Sequence, residues 1–212
     1  MTDAALRGLY AVTSAGICQQ PPRLAAAVAA ALTGGARLIQ YRDKEHGAAA
    51  REAMARELLL LCRARGALLI INDDLALAER IGADGVHVGA RDAPLREARR
   101  RLGPAPLVGV SCANQLERAL DAQQDGASYV AFGRFFPSRT KPEAPQAELP
   151  LLRQARAALS IPICAIGGIT PLNAPAVIAA GADLVAAVDG VFGALDVAAA
   201  ARSYARLFVQ GP

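Results

Sequence analysis

The sequence of 212 residues has no tryptophan, and aromatic residues make up only 4% of it. Binding faces for single-stranded nucleic acid are built from rows of stacking aromatics, so that class is set aside. The formal charge is +4, but no run of five or more like charges exists. The densest basic cluster, Arg99-Arg100-Arg101, lies in an amphipathic helical pattern and reads as a solvated face rather than a nucleic-acid patch.

Metal-binding and nucleophile motifs are scarce too. There are two histidines and four cysteines, with no C-x-x-C pair, which excludes the common zinc patterns. Cys18, Cys62, Cys112 and Cys164 lie far apart beside apolar or small residues. They are expected to be reduced packing residues, as suits a cytoplasmic protein. No apolar run reaches the length of a membrane span. The start, MTDAALRGLYAVT, has no basic segment and already reads as a strand, so a secretory leader is not expected. No G-x-G-x-x-G follows the first strand and no G-x-S-x-G occurs, which weakens a dinucleotide fold and a serine-hydrolase elbow.

What is present is core. The chain is 53% hydrophobic and 20% charged, enough to bury a large interior. Four segments resemble one another: GARLIQY from Gly35, GADGVHV from Gly82, GASYVAF from Gly126 and GADLVAAV from Gly181. Each follows an Ala/Leu-rich helical pattern and opens an apolar strand. The glycine suits the left-handed position just past a helix. These repeats are too far apart for one βα unit and suit two. Leu9–Thr13, Leu68–Asn72, Leu107–Ser111 and Ile163–Ile166 supply the intervening strands. Helices are expected at Pro22–Thr33, Ala48–Arg65, Leu75–Ile81, Leu95–Leu102, Gln115–Asp125, Leu149–Leu159, Pro171–Ala180 and Val197–Phe208. Eight βα units without a linker predict a single (β/α)8 TIM barrel over residues 1–212, with a doubly wound open sheet as the alternative.

A barrel carries its chemistry at the C-terminal ends of its strands. Those ends are polar here. Strand two ends in Gln40-Tyr41-Arg42-Asp43-Lys44, where Gln40, Arg42 and Lys44 share the inward face and Tyr41 and Asp43 the outward one. Strand three ends in Asn72-Asp73-Asp74, strand four leads to Asp92, and strand five ends in Ser111. The loop after strand six contains PSRTKP; strands seven and eight end in Gly167-Gly168 and Val188-Asp189. Singly these are solvated charges, helix caps and turns; His87 reads as a packed strand histidine. Together they form one rim. Arg42, Lys44 and Lys141 suit phosphate oxygens. Asp73 and Asp92 suit Mg²⁺ completed by phosphate oxygens and water. Gly167-Gly168 before Pro171 is expected to open a helix whose N–H groups hold a second phosphate. Two phosphorylated small molecules follow as partners, one carrying a diphosphate.

QYRDK at 40–44, NDD at 72–74, HVGARD at 87–92, VGVS at 108–111, PSRTKP at 137–142 and IGGIT at 166–170 occur in one order along nearly the whole chain. This set resembles the thiamine-phosphate synthase family. The resemblance implies a Mg²⁺-dependent transferase. It joins the diphosphate ester of 4-amino-5-hydroxymethyl-2-methylpyrimidine to 4-methyl-5-(2-phosphoethyl)thiazole and releases diphosphate. It implies that Gln40, Arg42, Lys44, Asn72, Ser111 and Lys141 bind the pyrimidine diphosphate, with Arg42, Lys44, Ser111 and Lys141 taking part in catalysis. Asp73 and Asp92 would ligate Mg²⁺. Ser138, Thr140, Gly168 and the Val188-Asp189 backbone would hold the thiazole phosphate, with Tyr41, Asp43 and Arg139 in the same binding motifs. Ser138 stands where threonine is common in the family, and Asp189 where serine is common. A thiazole tautomerase and a non-catalytic barrel that binds thiamine intermediates are the alternatives. An oligomer of like chains is compatible with the sequence, and neither nucleic acid nor membrane is an expected partner.

Overall fold

A computed structural model describes residues 6–89, 95–138 and 143–209. Its strands are β1 (Gly8–Val12), β2 (Leu38–Tyr41), β3 (Leu68–Asn72), β4 (Gly85–Val88), β5 (Leu107–Ala113), β6 (Tyr129–Phe132), β7 (Ile163–Ile166) and β8 (Leu184–Ala187). All are parallel, each pairs with the next, and β8 pairs with β1 to close the barrel. The helices are α1 (Ala15–Cys18), α2 (Pro21–Thr33), α3 (Ala48–Arg63), α4 (Leu75–Ile81), α5 (Leu95–Leu102), α6 (Leu116–Gln124), α7 (Leu149–Ala158), α8 (Ala174–Ala179), α9 (Asp189–Phe192) and α10 (Val197–Ala205). This is the (β/α)8 TIM barrel that the sequence predicts. Among the described residues, no helix is long and apolar enough to cross a membrane.

The strands are short apolar runs because both of their faces are covered. Alternate side chains go to two different cores. Tyr10, Leu38, Ile70, Tyr129, Cys164 and Leu184 fill the barrel interior. Leu9, Ile39, Tyr41, Ile71, Val130 and Val185 pack outward against the helices. The four buried cysteines are all free thiols in these cores.

The four sequence repeats have a structural cause. Gly35, Gly82, Gly126 and Gly181 all have positive φ, between 63° and 116°, as the chain leaves a helix and turns into a strand. Two residues later, three of the repeats place a side chain that ties the barrel floor together. Asp84 accepts the Leu69 N–H at 2.9 Å and pairs with Arg63. Asp183 accepts the Ile163 N–H at 2.8 Å and pairs with Arg156. Ser128 accepts the Val108 N–H at 3.0 Å and a bond from Arg99. Each clasp fixes a neighbouring strand and its helix at the end of the barrel opposite the mouth. Arg99 is thus not part of a solvated face: it also caps the carbonyls of Gly103, Pro106 and Gly126.

Two differences from the sequence reading lie at the mouth. The helix after β7 opens at Ala174, not Pro171. Asn173 accepts the Thr170 N–H at 2.8 Å and bonds back to the Gly168 carbonyl, forming a turn where a first helical turn was expected. The short helices α1 and α9 were not anticipated. Four residues are too few to show a helical period.

Candidate active site

The strand ends surround a cavity of about 640 Å³. Gln40 and Arg42 line it from β2 and the loop beyond, Asn72 from β3, His87 from β4 with Gly89 just beyond it, and Ser111 from β5. Gly167, Gly168, Val188, Asp189 and Ser138 line the other side. The alternation of β2 sends Gln40 inward and Tyr41 outward, as its period of two requires.

Tyr41 and Asp43, expected among the substrate-binding residues, do not line the cavity. The Tyr41 hydroxyl donates to Asp43 at 2.8 Å behind the rim. The Asp43 carboxylate also accepts the Glu45 and His46 N–H groups and the His46 ring at 2.9 Å. Burial pushes its carboxyl up, but these hydrogen bonds outweigh it and hold the group below the usual carboxylate range. Asp43 therefore builds the loop that carries Arg42 and Lys44. Lys44 is not on the cavity wall either; it sits at the rim, 3.6 Å from Asp73.

Asp73 and Asp74 separate into two roles. Asp74 caps α4 by accepting the Leu77 N–H at 2.9 Å. Asp73 has φ +62°, a left-handed conformation uncommon away from glycine, and its carboxylate accepts from Asn72 at 2.6 Å. Its carboxylate lies beside Asn72 and Lys44 at the end of β3, and only Asp74 caps the helix. Asp92, Arg139, Thr140 and Lys141 lie outside the described residues.

The Gly167-Gly168 turn packs against the loop after β6. A Cβ on Gly168 would come within 2.3 Å of the Pro137 carbonyl oxygen, and one on Gly167 within 2.3 Å of the Arg134 Cβ. Only glycine lets the two loops meet so closely. From behind, the buried Tyr204 of α10 donates to the Ile169 carbonyl at 2.9 Å and lies against Gly190. Burial pushes this phenol up to about 12, so it stays a neutral donor.

Several lining residues were not anticipated. Arg118, in the first turn of α6, and Arg134, after β6, add cations to the wall. Deeper, Gln40 Nε2 donates to the Tyr10 hydroxyl at 2.7 Å, and Tyr10 meets the Tyr129 hydroxyl at 2.8 Å. Tyr129 meets His87 Nδ1 at 3.0 Å, and His87 Nε2 meets Ser111 Oγ at 2.9 Å. His87 is packed in a strand, as the sequence suggested, and it also bridges two polar residues. Burial pushes both phenols up, so neither ionises at neutral pH. The available signal was Gly109 in the middle of β5. It pairs in register with His87 and Tyr129, and a Cβ there would lie 2.0 Å from the Tyr129 ring. Ser111 precedes a bulge at which Ala113 takes φ +50°, which re-aims the strand end at the mouth.

A family model described as thiamine monophosphate synthase matches residues 9–191. The chain belongs to the thiamine monophosphate synthase family. It is 55% identical over 207 residues to a thiamine-phosphate synthase of Thioalkalivibrio sulfidiphilus, covering 98% of both chains. It is 54% identical to one of Chromobacterium violaceum, covering 96% of this chain and 97% of the other. The solved structure of thiamine phosphate pyrophosphorylase from Pyrococcus furiosus superposes with a TM-score of 0.87 at 32% identity, covering 98% of each chain. Membership in this thiamine monophosphate synthase family agrees with the segments QYRDK, NDD and IGGIT, which the barrel brings to one mouth.

Proposed function

We propose that this chain is a thiamine-phosphate synthase acting as one barrel domain in the cytoplasm. The observation that carries the reading is the two-sided mouth. Arg42 and Asn72 line one side, with the Lys44–Asp73 pair next to Asn72 at the rim, and Gly168, Val188 and Ser138 line the other, in a chain more than half identical to named synthases. In the reaction, the C–O bond of the pyrimidine methyl diphosphate breaks, and diphosphate leaves with the electron pair. The lone pair of the thiazole nitrogen then forms the new C–N bond, giving the thiazolium of thiamine phosphate. No proton has to move at the reacting atoms. A wall of cations and neutral hydrogen-bonding groups suits this chemistry better than a general base does.

Arg42 and Lys44, with Lys141, are assigned to the departing diphosphate, where fixed positive charge stabilises the charge that develops. Asn72 and Ser111 join them on the pyrimidine diphosphate. Arg118 and Arg134 extend the cationic wall around the cavity. Ser138, Thr140, Gly168 and the Val188-Asp189 backbone are assigned to the thiazole phosphate. Mg²⁺ fits the donor set: Asp73 offers a carboxylate at the rim whose side chain is 34% exposed, a hard oxygen ligand beside the expected phosphate. Asp73 with Asp92 would hold it. When bound, it would neutralise leaving-group charge. The apolar floor, with Val12, Ala131, Ile166 and Ala186, shields a cationic pyrimidine methyl group from water.

The test is incubation of the purified protein with both substrates and Mg²⁺, following diphosphate and thiamine phosphate. Thiamine phosphate formation supports the synthase. Conversion of the thiazole alone, with no coupling, would replace it by a tautomerase. Binding without turnover of either substrate would replace it by a non-catalytic binding barrel.

A further inference from the structure

Among the described residues, the buried polar side chains are Thr13, Gln40 and His87. Gln40 and His87 line the cavity, and Thr13 does not. It directly follows β1 and is 0% exposed, so its hydroxyl must find partners inside the protein. It finds them on the main chain of Arg42. The hydroxyl accepts the Arg42 N–H at 2.9 Å and donates to the Arg42 carbonyl at 3.3 Å. Cys18 Sγ lies 3.4 Å from both the Thr13 hydroxyl and the same carbonyl.

The register explains this arrangement. β1 and β2 pair in parallel as far as Val12 and Gln40, and the Thr13 N–H still reaches the Gln40 carbonyl at 2.9 Å. A continuing parallel ladder would give the Arg42 N–H a main-chain carbonyl of the first strand. The chain leaves the strand here instead, because Ser14 caps α1 by accepting the Ile17 N–H. The Thr13 hydroxyl takes the place of that carbonyl, and β2 is held one residue past its own end at Tyr41. The four residues of α1 then bring Cys18 back as a second donor. Burial pushes this thiol up to about 11, so it keeps its proton. The directions at Arg42 follow from main-chain chemistry, since an N–H only donates and a carbonyl only accepts.

The Arg42 side chain lines the cavity, and among the described residues no hydrogen bond or ion pair holds its guanidinium. Where that long side chain can reach therefore depends on where its main chain is fixed. We propose that Thr13, seconded by Cys18, is a positioning residue: its hydroxyl extends the β1–β2 ladder by one residue and fixes Arg42 so that the guanidinium meets the anion in the cavity. Asp43, which binds the Glu45 and His46 N–H groups, holds the loop from the other side. The functional half of this proposal rests on the synthase reading, which assigns Arg42 to the diphosphate. The clamp on the main chain does not.

The experiment compares Thr13→Val, which keeps the shape and loses the hydroxyl, with Thr13→Ser, which keeps the hydroxyl, both in the full-length protein. Amide hydrogen exchange followed by NMR reads the clamp. In Thr13→Val the Arg42 N–H should exchange roughly tenfold faster, the loss of about one hydrogen bond, with the ladder amides of β2 unchanged and Thr13→Ser like the wild type. Unchanged exchange at Arg42 in Thr13→Val would overturn the clamp. Calorimetry with inorganic diphosphate as the probe reads the positioning. Thr13→Val should weaken binding roughly tenfold, Thr13→Ser should restore it, and Thr13→Val added to Arg42→Ala should weaken it no further, because both act through one guanidinium. Losses that multiply, as from a general scaffold defect, would overturn the positioning role. If the wild-type protein does not bind diphosphate, the synthase reading fails, and the exchange of the Arg42 amide still decides the clamp.

Discussion

Gly168→Ala tests how the mouth is assembled. The residue has φ +63°, and its Cβ would stand 2.3 Å from the Pro137 carbonyl oxygen and 2.8 Å from the Phe136 carbonyl group. Real Cβ contacts start near 3.0 Å, so the Pro137 oxygen must retreat by about 0.7 Å at least. Both obstacles are backbone, so no side chain can swing aside to absorb the shift. The left-handed alanine adds a cost of roughly 1–2 kcal/mol. At roughly 2–4 °C per kcal/mol for a chain of this size, the melting temperature should fall by several degrees. The shift displaces Ser138 and the 167–168 turn together, on the side assigned to the thiazole phosphate. A displacement approaching 1 Å at a binding group can cost up to about a hundredfold. Steady-state kinetics should show a KM for the thiazole phosphate raised tenfold or more, with the KM for the pyrimidine diphosphate little changed. Wild-type kinetics in a folded variant, or a loss confined to the pyrimidine diphosphate, would refute the assignment.

Other perturbations separate scaffold from mouth. Asp183→Ala leaves the buried Ile163 N–H and Arg156 without their carboxylate, and should destabilise by about 1–3 kcal/mol in urea titrations. Turnover per folded molecule should be unchanged, because the clasp sits at the opposite end of the barrel. Burial pushes the Cys62 and Cys112 thiols up to about 12 and Cys18 to about 11, so a thiol reagent at pH 8 should label them only on unfolding. The unfolded thiols ionise near pH ~8.5. Their contribution to stability is therefore intact below that pH and lost as pH rises towards 11–12, which thermal melts across alkaline pH would record. Asp43 has the opposite sign. Its folded pKa is depressed, so its stabilisation is present above about pH 4 and is lost as pH falls through the folded value. Asp43→Asn should lower the melting temperature at pH 7 and make no difference in strong acid; an equal deficit at both would show that the charge is not responsible.

The barrel was legible because its signals are local. The left-handed glycines at 35, 82, 126 and 181 and the apolar runs behind them repeat along the chain, and α4 and α5 begin and end where their patterns do. Gln40, Arg42, Asn72 and Ser111 were legible as polar ends of apolar strands, and alternation separated Gln40 from Tyr41. The hydrogen bonds that link Gln40, Tyr10, Tyr129, His87 and Ser111 were not legible. Tyr10 and Tyr129 are ordinary members of apolar strands, and their meeting across the barrel depends on closure and register, which no local pattern carries. Arg118 is one charge on an amphipathic helix, and only the placement of α6 brings it to the cavity. Arg99 shows the reverse: a solvated cluster by composition, one member of which is used to satisfy carbonyls at the floor. Asp43 sits in a motif of charged neighbours, yet its hydrogen bonds turn inward to its own loop.

The central claim is that this mouth couples departure of diphosphate to formation of one C–N bond. The direct measurement is the amount of diphosphate released against thiamine phosphate formed, with purified protein, Mg²⁺ and each substrate alone or both together. The account predicts equal amounts of the two products, only when both substrates are present, with Arg42→Ala slower by roughly a hundredfold or more. Absence of thiamine phosphate with both substrates present, or an Arg42→Ala protein that couples them at the wild-type rate, would contradict it.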